Sequence, residues 1–138
     1  PQKTNQIFTP KKVVQMMVDQ LVETEPHIFE SPDKTFVDFY MKSGLYITEI
    51  VKRLYRNKVL KSIIPDDKER VKHILECQVF GFAPTQIIYD ITMSYIFGFD
   101  EGANNISRRN FFCEDTLPYA ERGELQKLVN EKLADRVK

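Results

Sequence analysis

Asp38 closes a short apolar run, Thr35-Phe36-Val37-Asp38-Phe39, and a polar turn, Lys42-Ser43-Gly44, precedes a helical pattern that begins at Leu45. A carboxylate, an ammonium and a glycine turn therefore fall between the end of a strand and the start of a helix. In an open α/β sheet the ligand site lies beyond the carboxyl ends of the strands. A glycine turn lets backbone N–H groups approach a ligand, and the helix behind it offers the positive end of its dipole. The same residues also suit a plain strand-to-helix connection, so their neighbours decide the reading. Two more strand ends are candidates: Gly81-Phe82-Ala83-Pro84, and the stretch from Asn110 to Asp115. Tyr40, Tyr46 and Phe82 fall near strand ends, where a flat ligand ring could stack.

Other reactive side chains point to less. His27 sits in a proline-flanked loop and His73 in a helical stretch, neither with a metal-ligand partner at useful spacing, and no metal site is expected. Cys77 and Cys113 are too few for a disulfide scaffold or a four-ligand zinc cage. Both fall near strand boundaries, where a small buried hydrophobe is the expectation. Lys52, Arg53, Arg56, Lys58 and Lys61 make a basic stretch around the end of the second helix. It could touch a phosphate backbone, or simply complement the helix dipole. Arg108-Arg109 is a basic pair on a loop, and Asp66 to Arg70 reads as a solvated, mixed-charge helix start.

The elements that must position these residues follow from periodicity and punctuation. Thr9 is a good N-cap and Pro10 suits the first helical position. Val13, Val14, Met17, Val18 and Leu21 then predict an amphipathic helix to about Glu23. A loop from His27 to Lys34 leads to the first strand. Ile47, Ile50, Val51, Leu54 and Tyr55 line a second helix, broken near Pro65. Asp66 and Glu69 form a capping-box pair for a third helix with Val71, Ile74 and Leu75 inward. Gln78 to Phe82 predicts a second strand, and Pro84 a helix carrying Ile87, Ile88, Ile91, Tyr95 and Ile96 up to Gly98. After a polar loop, Asn105-Ile106 and Asn110-Phe111-Phe112 bracket a third strand. A last helix is predicted from Glu121 to Arg136. Strands alternating with helices call for parallel pairing and right-handed crossovers, an α/β doubly wound arrangement.

The chain has 138 residues, 42% hydrophobic and 29% charged, the composition of one soluble globular domain at most. Twenty Lys+Arg balance 20 Asp+Glu, so no global charge draws it to nucleic acid or an anionic membrane. It has no apolar run of spanning length, and its first residues lack a signal-peptide core. A reducing cytoplasm is the expected setting. Three strands make a small sheet with open edges, which reads as part of a larger domain and makes self-association in isolation an expectation.

Four segments, in order, carry a resemblance. QIFTPKKVVQMMVDQL, Gln6 to Leu21, resembles the segment before the cofactor strand in adenine-specific DNA methyltransferases of restriction–modification systems, where an F-x-P turn and helix close over the methionine end of S-adenosylmethionine. FVDFYMKSGLYITEIVKRL, Phe36 to Leu54, is similar to the family's cofactor loop D-P-x-x-G-S-G-x-F-x-x-E, with Asp38, Ser43, Gly44, Tyr46 and Glu49 at matching positions and Lys42 replacing a glycine. The helicase-linked branch of the family resembles this variant. VFGFAPTQIIYDIT, Val79 to Thr92, is similar to the turn that faces the ribose, and NISRRNFFCEDTLP, Asn105 to Pro118, to the strand and turn beside the adenine.

The resemblance implies a Rossmann-like methyltransferase fold with a partial parallel sheet flanked by helices. Residues 1–138 would be the N-terminal part of the domain, 1–34 a leading helix and loop and 35–138 a partial core. It implies S-adenosylmethionine as cofactor, held by Phe8, Thr9, Pro10, Asp38, Lys42, Ser43, Gly44, Phe82, Ala83 and Asp115. Asn110 competes with Asp115 for the adenine edge, and Asp115 fits the pattern better. No acid stands at the ribose turn. The catalytic N-P-P-Y/F motif does not occur in these residues, so the chain is expected to end before it and to hold no catalytic residue. DNA would then be contacted mainly through other parts, with a restriction subunit or a helicase/nuclease domain as partner. The alternative is a non-catalytic α/β module for protein or nucleic-acid contacts.

Overall fold

The computed structural model describes residues 9–98 and 105–133. Thr9 accepts a hydrogen bond from the Lys12 N–H at 3.1 Å and Pro10 opens helix α1, Pro10–Thr24. Strand β1, Phe36–Asp38, leads into α2, Leu45–Arg56. Asn57 then accepts from the Val59 and Leu60 N–H groups and starts a separate helix, α3, Lys58–Ile63. The basic stretch expected at one helix end is thus divided between two helices. Asp66 caps α4, Asp67–His73, through the Glu69 N–H at 2.9 Å, and the chain continues as a π-helical turn, Ile74–Gln78.

Strand β2 is Val79–Ala83, and α5, Gln86–Phe97, starts behind the Thr85 hydroxyl rather than at Pro84. Strand β3 is only Phe111–Cys113, so Asn105 and Ile106 lie outside it. The expected last helix is split. Leu117–Glu121 forms α6, Gly123 turns the chain at φ 69°, and α7 runs Leu125–Leu133, while Arg136 lies outside the described residues.

The sheet order is β1-β2-β3 with both pairs parallel, Asp38 beside Gly81 and Ala83 beside Cys113. This is a small parallel sheet flanked by helices. Side chains alternate along a strand. Phe36, Val79, Ala83 and Phe111 join one core with Ile47, Ile50 and Leu54 of α2 and Met93 and Ile96 of α5. On the other face, Val37, Phe80, Phe82 and Phe112 meet Val129 and Leu133 of α7.

Several residues depart from expectation. Arg70 is buried, at 1% exposure, rather than solvated. Cys77 and Cys113 lie next to strand ends as read but are both exposed free thiols. On α5, Ile96 is buried while Ile87, Ile91 and Tyr95 face outward.

Gly81 matters because of a close approach. A Cβ there would stand 2.4 Å from the Met41 sulfur and 2.9 Å from its Cε, and Met41 is fully buried. The Met41 N–H also donates to the Phe82 carbonyl at 2.8 Å, fixing the turn after β1 across the end of β2. Overpacking of this kind costs about 1–3 kcal/mol. Gly81→Ala is expected to lower stability by that amount in a denaturant titration, and to shift amide resonances of residues 39–44.

Candidate ligand site at the carboxyl ends of the strands

A cavity of about 620 Å³ opens between α1 and the turn after β1. Pro10, Val13, Val14 and Met17 of α1 form one wall, and Asp38, Lys42, Ser43 and Gly44 form the other, with Tyr46 beside them. Half-exposed Val13 and Met17 thus turn part of the apolar face of α1 toward a cavity rather than into the core. Five of the ten residues singled out from the sequence converge here.

The local geometry follows from the glycine. Gly44 sits at φ 85°, a left-handed conformation that costs other residues about 1–2 kcal/mol. It is the N-cap of α2, and no side-chain hydrogen bond caps the helix there. Ser43 Oγ accepts from the Leu45 N–H only at 3.4 Å. The positive end of the α2 dipole therefore faces the cavity side of the turn, next to the exposed Lys42, and suits an anionic group.

Asp38 supplies the opposite charge. Its Oδ1 accepts from the Tyr40 N–H at 3.0 Å. Burial pushes its carboxyl above the ordinary 3.8, and the Tyr40 bond offsets only part of this. The Tyr46 phenol is raised as well, first by burial and then by the negative charge of Asp38. An unpaired, partly desolvated carboxylate beside a cavity gains from a cationic ligand group. The site thus offers a carboxylate for a cation, a helix end and a lysine for an anion, and an apolar wall opposite them.

The other predicted residues are placed as follows. Phe8 lies outside the described residues. Thr9 caps α1 next to Pro10. Phe82 and Ala83 are buried, and the Phe82 ring stacks between Phe39 and Phe112 at 6.0 and 5.0 Å. Phe82 therefore supports the turn after β1 from beneath. Asp115 is exposed beyond the carboxyl end of β3, its Oδ1 accepting from the Leu117 N–H at 3.0 Å. The neighbouring Thr116 hydroxyl donates to the Phe39 carbonyl, which ties this loop to the turn after β1. Asn110 is buried at the amino end of β3, where its carbonyl accepts from the Gly81 N–H. Among the described residues, no group of three or more His, Cys, Asp or Glu is placed to hold a metal ion.

Sequence reading missed the fastening of α1. Arg53 donates through Nε to Glu49 at 2.8 Å, and through a terminal nitrogen to Asp19 of α1 at 2.8 Å and to the Gln15 carbonyl at 3.5 Å. Burial works against its charge, but the bonds to Glu49 and Asp19 outweigh that and raise its pKa. The i,i+4 spacing of Glu49 and Arg53 was the available signal. A double-mutant cycle on Glu49→Gln and Arg53→Met is expected to give a coupling of about 1–2 kcal/mol. Amide hydrogen exchange across α1 should quicken in Arg53→Met.

No protein-family model matches the chain. A curated protein of Mycoplasma pneumoniae, described as an uncharacterized adenine-specific methylase, is 33% identical over 82 residues. The match covers 59% of this chain and 19% of that protein, so the chain spans about a fifth of the relative's length. The chain is therefore similar to part of a protein named as a methylase. Among the described residues, no helix is long and apolar enough to cross a membrane.

Proposed function

We propose that this chain is the cofactor-side part of an S-adenosylmethionine-dependent DNA methyltransferase acting on adenine amino groups, within a restriction–modification system. The observation that carries the reading is the cavity in which Pro10, Asp38, Lys42, Ser43 and Gly44 meet. Its donor set suits the amino-acid end of the cofactor. Asp38 would accept from the ammonium, and the α2 N-terminus with Lys42 would take the carboxylate. Val13, Val14 and Met17 would cover the methylene chain. Asp115 would accept from the adenine amine, and Phe82 and Ala83 would hold the floor on which the turn rests. When bound, the cofactor supplies an electrophilic methyl group on a sulfonium. Transfer needs in-line placement of the target amine, and the flipped adenine would be held by groups outside these 138 residues.

The similarity to a methylase and the small parallel sheet support this reading in general terms. One observation favours a second reading, an α/β interaction module without cofactor. The turn after β2 has no acid for ribose hydroxyls, only Pro84 and the Thr85 cap. Thermal melts separate the two. S-adenosylmethionine and its demethylated product should each raise Tm in a concentration-dependent way, by the linkage of binding to folding. Adenosine and methionine, added separately at the same concentration, should not. No shift with either cofactor form at millimolar concentration removes the cofactor-binding reading for this chain.

A further inference from the structure

A second cavity, of about 500 Å³, lies between α2, α4 and the end of α5, and nothing in the cofactor reading uses it. Val51, Tyr55 and Val71 provide its apolar lining and Tyr95 one wall. Tyr95 is also the end of a row. Ile87, Ile91 and Tyr95 are spaced i, i+4 and i+8 along α5, and they are 72%, 52% and 46% exposed. Residues four apart share one helix face, so an apolar strip about 12 Å long runs down α5 into the cavity.

Positive charge is confined to one end. Lys52, Arg56 and Lys68 rim the cavity, and none of them has a hydrogen-bond or ion-pair partner among the described residues. The one acid in the lining, Asp67, is already bonded to Arg70 at 2.6 Å. Three cations therefore border an apolar cavity with no free counter-charge among the described residues. The strip itself carries no cation, since Asp90 is the sole charged residue of α5. Nucleic acid requires positive charge along its path, and an anionic lipid surface likewise requires a basic face. Neither suits a strip whose cations sit only at one end.

We infer that this groove docks an amphipathic, acidic segment of a partner protein. Its apolar side chains would lie along Ile87, Ile91 and Tyr95, and its carboxylates would pair with Lys52, Arg56 and Lys68. Helix-in-groove recognition works this way, with anchors at helical spacing giving affinity and terminal charges giving orientation.

The test uses the 138-residue chain and a labelled synthetic helical peptide with leucines on one face and glutamates at one end. Binding should perturb the amides of Val51, Tyr55, Val71 and Tyr95. Arg56→Glu combined with Lys68→Glu should weaken it at least about tenfold, or 1.4 kcal/mol. Both side chains are exposed and unpaired, and the dipole cost of a glutamate in the last turn of α2 is offset by its gain in the first turn of α4, so the melting curve should barely move. Ile91→Ser should also weaken binding, while Lys11→Glu on α1 should not. The inference is overturned if the peptide does not bind at millimolar concentration, or if a version with lysines for glutamates binds equally. It is overturned too if the strip mediates self-association in sedimentation runs, or if single-stranded DNA occupies the groove in preference to the acidic peptide.

Discussion

Arg70→Ala is expected to lower the unfolding free energy by about 3 kcal/mol or more. The guanidinium is enclosed, donating to the carbonyls of Tyr55, Ile64 and Pro65 at 3.0, 3.0 and 3.2 Å, and to Asp67 at 2.6 Å. It also lies 4.4 Å from the Tyr55 ring centroid. These carbonyls belong to the end of α2 and to the chain between α3 and α4, so one side chain satisfies the backbone where three helices meet. Removing it leaves acceptors without donors, each worth about 1–3 kcal/mol if kept from water. Arg70→Lys should recover only part of the loss, because an ammonium cannot reproduce the planar fork. Equilibrium urea unfolding of both variants checks this, and a loss under about 1 kcal/mol for the alanine variant would contradict it.

The second large effect has opposite signs for stability and binding. Asp38→Asn is expected to weaken S-adenosylmethionine binding at least about tenfold, since a charge-assisted bond to the ligand ammonium is lost. The same substitution should raise Tm without ligand. Asp38 is held in a desolvated position where its charged form is disfavoured, and asparagine keeps an oxygen for the Tyr40 N–H. The pH dependence follows from the direction of the shift. With the folded-state pKa above the ordinary 3.8, the folded protein binds the proton more readily than the unfolded chain. The penalty is therefore full above the folded-state value and relieved as pH falls through it toward 3.8. The stability advantage of Asp38→Asn should shrink over that interval. A variant that lost both stability and binding would show Asp38 to be a structural group.

Much of the positioning was legible because it depends on neighbours in sequence. Thr9, Pro10 and Asp66 cap helices within three residues, and the apolar runs before Asp38 and after Gln78 became paired strands. The turn Lys42-Ser43-Gly44 was legible for the same reason, since the left-handed residue and the helix start are local. Features that depend on distant partners were not. Arg70 reads as solvated in a run of charges, and only the carbonyls of Tyr55 and Ile64 explain its burial. Arg53 pairs with Glu49 at a visible spacing, but Asp19, 34 residues away, completes the fastening. Phe82 stands near the end of a strand, a position that by itself does not say which way its ring points. Alternation aims its ring at Phe39 and Phe112, away from the main core. Helix α5 is apolar on nearly every face, so its period could not say that Ile87 and Ile91 would be left outside.

The most direct test of the account is an amide-shift titration of the 138-residue chain with S-adenosylmethionine. Saturable shifts are expected at Asp38, Tyr40, Lys42 to Tyr46 and the first two turns of α1, sharply reduced in Asp38→Asn. Shifts that map elsewhere, that persist undiminished in Asp38→Asn, or that fail to appear at millimolar cofactor would contradict it.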